Sequence, residues 1–168
     1  MKIIALVFVL CAGLQGSRGG CPNNFEKHGD GCYKVMVEPV SWINAKLYCQ
    51  VFGADLVKIE TQEEETLLET VLNEIHINRT ARIENYWVDG SDLLAEGEWM
   101  WVGTPGYSQY ITSFTHWAPG QPDNNNNGED CMLIKFNLKL FWSDERCTTS
   151  GSFICEAEYS EDPDSIIG

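Results

Sequence analysis

Basic residues are scarce in this chain: 11 Lys and Arg stand against 25 Asp and Glu, a formal charge of −14. Binding a phosphate backbone needs a basic face, so nucleic acid is excluded as a partner, and anionic membrane surfaces are disfavoured for the same reason. Long apolar runs are missing too. The longest, Ile3 to Leu14, has about 12 residues against the ~20 needed to cross a bilayer as a helix. No CxxC pair occurs, and the three histidines, His28, His76 and His116, lie beside no cysteine pair, which removes the usual zinc spacings. Nor do these histidines join a Ser or Cys in an arrangement that marks a nucleophile, so an enzyme is not expected.

What is present begins with Lys2 ahead of the apolar run, followed by small and polar residues from Gly16 to Gly20, the layout of a secretory signal peptide. Residues 1–19 are assigned to this leader, with cleavage between Gly16 and Gly20, and a secreted, extracellular chain without membrane insertion is expected. Losing Lys2 and Arg18 takes the charge to about −16, which reads first as a solvated, soluble surface. Roughly 150 residues remain, a length that suits one domain with its own core. Cys11 leaves with the leader, and the six that stay, Cys21, Cys32, Cys49, Cys131, Cys147 and Cys155, imply disulfides. Six cysteines allow 15 pairings, and counting cannot choose among them.

Residues 21–35 are turn-rich, with Gly29, Asp30 and Gly31 between Cys21 and Cys32, and read as a hairpin closed by its own disulfide. From Ser41, which can cap a first turn, Trp42, Ala45, Leu47, Tyr48, Cys49 and Phe52 fall mostly at helical spacing until Gly53. Leu56 to Ile59 follows as a strand. Thr61 and Glu64 form a T-x-x-E capping box for a second helix, with Leu67, Leu68, Val71, Leu72 and Ile75 on one face and an acidic outer face. The polar stretch 76–85 holds Asn78-Arg79-Thr80, a glycosylation acceptor. Short runs at Tyr86–Val88, Trp99–Val102, Met132–Ile134 and Phe153–Ile154 are strands. Helices first and strands afterwards predict an α+β domain, two helices packed on a mainly antiparallel sheet. Residues 103–130 read as one long loop, and a loop of that length in a small domain is usually functional. Trp42, Trp87, Trp99, Trp101 and Trp142 fall in helix or strand segments and are expected in the core.

Within that loop, Gln121-Pro122-Asp123-Asn124-Asn125-Asn126-Asn127-Gly128-Glu129-Asp130 offers an oxygen on nearly every side chain. Calcium takes six to eight oxygen ligands from carboxylates, amides and carbonyls. An ordinary Asn/Gly loop has the same composition, and the spacing is not that of an EF-hand. Other motifs separate the two readings. Tyr86-Trp87-Val88-Asp89-Gly90 resembles the W-I-G-L core strand of the C-type lectin family, Trp117 to Gly120 resembles its approach to the sugar loop, Gln121-Pro122-Asp123 its Q-P-D specificity motif, and Phe141-Trp142-Ser143-Asp144 its W-N-D. The resemblance covers essentially the whole mature chain, assigning 20–158 to a C-type lectin domain and 159–168 to an acidic tail. In form it is most similar to the short secreted perlucin-like lectins of molluscs.

The resemblance implies disulfides Cys21 to Cys32, Cys49 to Cys155 and Cys131 to Cys147, and a cis peptide at Pro122. It implies a principal calcium held by Gln121, Asp123, Glu129, Ser143 and Asp144, which also bind the sugar. Ser143 departs from the family's Asn, a longer side chain that ligates and donates to sugar. An auxiliary calcium would take Asp92, Glu96, Asn124, Glu129 and Asp130. Asn124 replaces a common Asp there and weakens the site. The implied function is a calcium-dependent lectin of galactose or N-acetylgalactosamine type, with mannose binding alongside because no aromatic follows Q-P-D, serving innate recognition of glycans. A second class is an acidic, calcium- or mineral-associated matrix protein with a lectin fold. With all six cysteines paired internally, any homo-oligomer is expected to be non-covalent.

Overall fold

A computed structural model describes residues 19–77, 85–103, 107–125 and 127–161. The expected leader (all but Gly19), the Asn78 acceptor and the end of the acidic tail lie outside them. The hairpin β1 (Glu26–His28) and β2 (Gly31–Val40) leads into α1 (Trp42–Val51), the two-residue strand β3 (Asp55–Leu56) and α2 (Gln62–Ile77). Then come β4 (Asn85–Ser91), β5 (Met100–Val102), β6 (Ser108–Tyr110), β7 (Cys131–Lys135), β8 (Phe141–Glu145) and β9 (Gly151–Glu158). The strand order is β1-β2-β9-β4-β5-β6, with β3 on β9 and the pair β7-β8 branching from β4. All pairings are antiparallel except β4 with β9. The expected α+β architecture is therefore present, as are the three disulfides in the implied pairing. Cys49–Cys155 closes 106 residues of chain, a constraint worth about 4–5 kcal/mol in chain entropy.

The capping box at α2 forms reciprocally. Glu64 N–H donates to Thr61 Oγ1 at 3.1 Å and Thr61 N–H to Glu64 Oε2 at 3.1 Å, two donors that the first turn would otherwise leave unpaired. Leu68, Val71 and Leu72 are buried as the spacing predicts. Leu68 and Leu72 join Tyr86, Val88, Trp101, Met132, Ile134 and Trp142 of the sheet in one core; a second gathers Trp42, Ala45 and Cys49 of α1 with Trp87, Leu133 and Phe153. Gly90 in β4 has a packing reason, since a Cβ there would lie 2.5 Å from Met132 Cε.

Four local expectations change. Ser41 stands at the N-cap of α1 but its side chain makes no capping bond; the first turn is held instead from outside, by Trp42 N–H donating to the Cys147 carbonyl at 3.0 Å. Leu47 points outward rather than into the core. The strand expected at Leu56–Ile59 pairs only over Asp55–Leu56, because Val57 divides its backbone between two strands, donating to Ile154 O and accepting from Asp89 N–H, each at 2.9 Å. Inside the stretch read as loop, β6 pairs with β5. Its three side chains are all exposed, so no apolar alternation marks it.

The acidic helix α2 also turns one carboxylate inward. Glu65 is buried, accepting from Gln62 Nε2 at 3.0 Å and sharing a 2.6 Å contact with His116 Nδ1. Beneath α1, Lys46 is buried and bridges Asp55 Oδ1, at 2.6 Å, and Asp89 Oδ1. Burial pushes the Asp89 carboxyl up to about 8 against the opposing pull of Lys46. Among the described residues, no helix is long and apolar enough to cross a membrane.

Candidate functional site

The loop between β6 and β7 is fixed at both ends. On its approach, Trp142 N–H donates to the His116 carbonyl and Ala118 N–H to the Trp142 carbonyl, both at 2.8 Å. Trp117 packs edge-on against Trp99 and Trp142, with ring centroids 4.8 and 5.7 Å away. Such aromatic pairs are worth about 0.5–1.5 kcal/mol each beyond area burial. His116, held by Glu65, ties the same segment to α2. At the far end the loop runs into Cys131, bonded to Cys147, and the Asp130 carbonyl accepts from Ser91 Oγ at 2.7 Å. The Gln121–Pro122 peptide is cis.

Asp144, on the buried strand β8, organises the loop's tip. Its two carboxylate oxygens accept from Asp123 N–H at 3.1 and 3.0 Å, and one of them from Asn124 N–H at 2.6 Å. Glu129 folds back from the other side, accepting from Asn125 N–H at 3.2 Å, while its own N–H donates to Asn124 Oδ1 at 3.1 Å. Asp123, Glu129 and Asp144 thereby each offer an oxygen within 4.8 Å of the others. Three carboxylates this close repel, and the Glu129 carboxyl is held above its ordinary range, by burial first and then by Glu145, Asp144 and Asp123. A hard cation relieves that repulsion, and an all-oxygen donor set suits one.

Gln121 and Ser143 lie in the same place with different duties. Ser143 Oγ donates to Gln121 Oε1 at 2.9 Å, and Asp144 N–H reaches the same oxygen at 3.3 Å. Ser143 is buried, so its hydroxyl orients the Gln121 amide. The auxiliary residues gather more loosely. Asp92 is buried with Oδ2 accepting from Gly97 N–H at 2.8 Å, whereas Oδ1 has no hydrogen-bond partner. Its carboxyl is raised, chiefly by burial, with Glu96 and Asp130 adding to the shift. A buried carboxylate oxygen without a hydrogen-bond partner, near two more acids, is a donor that suits a hard cation. Asn124 links the two groups: its Nδ2 donates to exposed Glu96 and its Oδ1 accepts from Glu129. Sequence reasoning assigned Asn124 only as a weakened ligand. The linking role follows from its amide, which donates and accepts at once as an Asp carboxylate cannot.

A sandwich of two helices on a mostly antiparallel sheet, with an acidic loop clamped between a tryptophan cluster and a disulfide, is the architecture of the C-type lectin domain. The family model described as "Lectin C-type domain" matches residues 38–157, and the chain belongs to this family. It is 32% identical to perlucin of Haliotis laevigata over 140 residues, covering 83% of this chain and 84% of that protein. It is 35% identical to human C-type lectin domain family 10 member A over 82% of its length, but spans only 40% of that relative. Among solved structures, the carbohydrate-recognition domain of the mouse scavenger receptor C-type lectin superposes with a TM-score of 0.71 at 29% identity, covering 84% of this chain and 100% of that one. The similarity to perlucin accords with the resemblance read from the motifs, and no enzyme family is indicated.

Proposed function

We propose that this chain is a secreted, calcium-dependent lectin that binds galactose or N-acetylgalactosamine through the Gln121–Asp130 loop, binds mannose more weakly, and serves innate recognition of glycans. The observation that carries this reading is the convergence of Asp123, Glu129 and Asp144 within 4.8 Å at the tip of a loop that also presents Gln121. Gln121, Asp123, Glu129 and Asp144 hold the principal ion, and Ser143 supports Gln121 from behind. Asp92, Glu96, Asn124, Glu129 and Asp130 serve the auxiliary site. Bound calcium supplies open coordination positions that two neighbouring sugar hydroxyls can fill. The chain's own carboxylates accept from those hydroxyls while the Gln121 amide donates to one, which fixes their orientation. Residues 123–130 bring no aromatic ring, so a stacking contribution to galactose choice is missing and mannose competes. One shallow polar site gives weak monosaccharide affinity, on the order of millimolar, and multivalent display supplies avidity.

A glycan array read with calcium and again with chelator tests this directly. Galactose-terminated glycans are expected to lead, with all signal lost in chelator. Signal that survives chelator sinks the mechanism, and absence of any glycan signal alongside calcium carbonate binding favours the acidic matrix reading that the formal charge of −14 also allows.

Stability offers a second test. A ligand that binds only the folded loop stabilises the fold by mass action, so the melting temperature is expected to rise in millimolar calcium. Glu129→Ala, which touches both proposed sites, should remove most of that rise. As pH falls, Glu129 with its raised pKa takes up a proton earlier than an ordinary carboxylate, so the calcium-dependent rise should already shrink in mildly acid buffer. A melting curve indifferent to calcium in the unmodified protein would mean the loop holds no ion.

A further inference from the structure

Helix α1 turns an apolar stripe to solvent. Ile43, Leu47 and Val51, spaced at i, i+4 and i+8, are 53%, 53% and 83% exposed, with Tyr48 beside them. A helix at the surface of a domain ordinarily presents polar residues on that side. The same helix is stripped of charge: from Pro39 to Ala54 the only acidic or basic side chain is Lys46, and it is buried beneath the helix against Asp55 and Asp89. α2 differs sharply, exposing Glu63, Glu69 and Glu74.

We infer that a second copy of this chain docks on this face, α1 against α1 about a twofold axis near Leu47. Charge selects the place, and the self-complementary stripe and its rim select the occupant. Two copies of a chain with formal charge −14 repel wherever their carboxylates meet, and α1 is a face on which none is presented. A twofold contact places each stripe on its own image, so an uncharged apolar surface is self-complementary there. Antiparallel crossing also sets opposite charges at the rim. Exposed Glu38 precedes the helix, and Lys34 lies by its C-terminal end, 4.4 Å from the centre of the Phe52 ring. The stripe supplies on the order of 400 Å² of apolar surface per copy, about half of a standard interface side. Area does not set affinity, but a contact of this size belongs with weak, reversible association, on the order of tens of micromolar.

Sedimentation velocity on the purified, non-reduced chain from about 1 to 200 µM, spanning that range, tests the proposal. Chelator throughout separates the outcome from that of the sugar site. The expected result is a monomer–dimer equilibrium that tightens from low to high salt, because screening removes repulsion between the two acidic bodies. Leu47→Glu should weaken it at least tenfold, whereas Ile77→Glu, at an equally apolar and 81% exposed position on α2, should leave it unchanged. A chain monomeric at every concentration, a dimer that Leu47→Glu leaves intact, an equal loss in Ile77→Glu, or association that weakens with salt would each overturn it. So would flotation of a monomeric chain with phosphatidylcholine vesicles, since the stripe would then be a lipid contact.

Discussion

Asp144→Ala, on β8 beneath the loop, is expected to reduce calcium-dependent sugar binding by at least about a hundredfold, a larger loss than any single change in the loop itself. Removing one carboxylate ligand weakens an ion by the charge it supplied, but Asp144 does more. It is the acceptor for the Asp123 and Asn124 N–H groups, so its removal leaves those donors without their partner and frees the tip that carries Asp123. Hydrogen bonds to a charged group contribute about 1.5–3 kcal/mol each. Asp144→Asn separates the two contributions: an amide oxygen still accepts from the backbone but brings no charge, so it should keep the loop's shape and lose affinity for the ion alone. Isothermal titration with calcium, then with a galactoside, reads both. If Asp144→Ala binds sugar as the unmodified protein does, Asp144 is structural and the ion lies elsewhere.

Lys46→Met should cost about 1–3 kcal/mol of folding stability, because it leaves the buried Asp89 and half-buried Asp55 oxygens without the ammonium that donates to both. Urea unfolding with disulfides intact and chelator present measures it, and a loss under about 1 kcal/mol would mean that Asp55 and Asp89 do not depend on the ammonium. The pH dependence of the same cluster has a definite sign. The Asp89 carboxyl ionises near its ordinary 3.8 when unfolded and near 8 when folded, so between those values the folded state binds more protons. Its contribution is therefore complete below about pH 4, declines as pH climbs, and is exhausted beyond about pH 8. Asp89→Asn, which cannot ionise, should gain on the unmodified protein steadily from pH 5 to pH 8, by about 4 °C or more in melting temperature. The calcium ligands respond in the opposite direction, since they need to be deprotonated, which is why chelator belongs in the buffer.

Legibility followed the chemistry that each segment relies on. The second helix could be read because its cap, apolar spacing and acidic first turn agree with one another. The tryptophans announced the core, and Trp42, Trp87, Trp99, Trp101 and Trp142 are all buried there. The order of motifs implied the disulfides and the neighbourhood of the loop. Strand β6 escaped because Ser108, Gln109 and Tyr110 bury nothing; only backbone pairing with β5 defines it. The support of Gln121 by Ser143 and the linking of Glu96 to the Glu129 backbone through Asn124 escaped because they depend on groups 22, 28 and 5 residues apart meeting in space. Nothing in the pattern of α1 marks Lys46 as a buried residue. One sign was available: Asp89 sits among apolar and aromatic residues of a core strand, and a charge in such company needs a partner. The outward direction of Leu47 is not legible either, because spacing alone cannot tell a buried stripe from an uncovered one.

Strands β1, β2 and β9 lie at one end of the strand order, whereas β6, from which the loop departs, lies at the other. Gly20 and Ser160 pair with each other beside the first group, Gly20 N–H donating to the Ser160 carbonyl at 2.7 Å. Gly20 and Ser160 thus lie side by side, at the opposite end of the strand order from β6. A tether, reporter or capture tag attached at Gly20 or at Ser160 therefore starts from the same place on the fold. Glycan capture on an immobilised surface should accordingly be indifferent to which end is anchored.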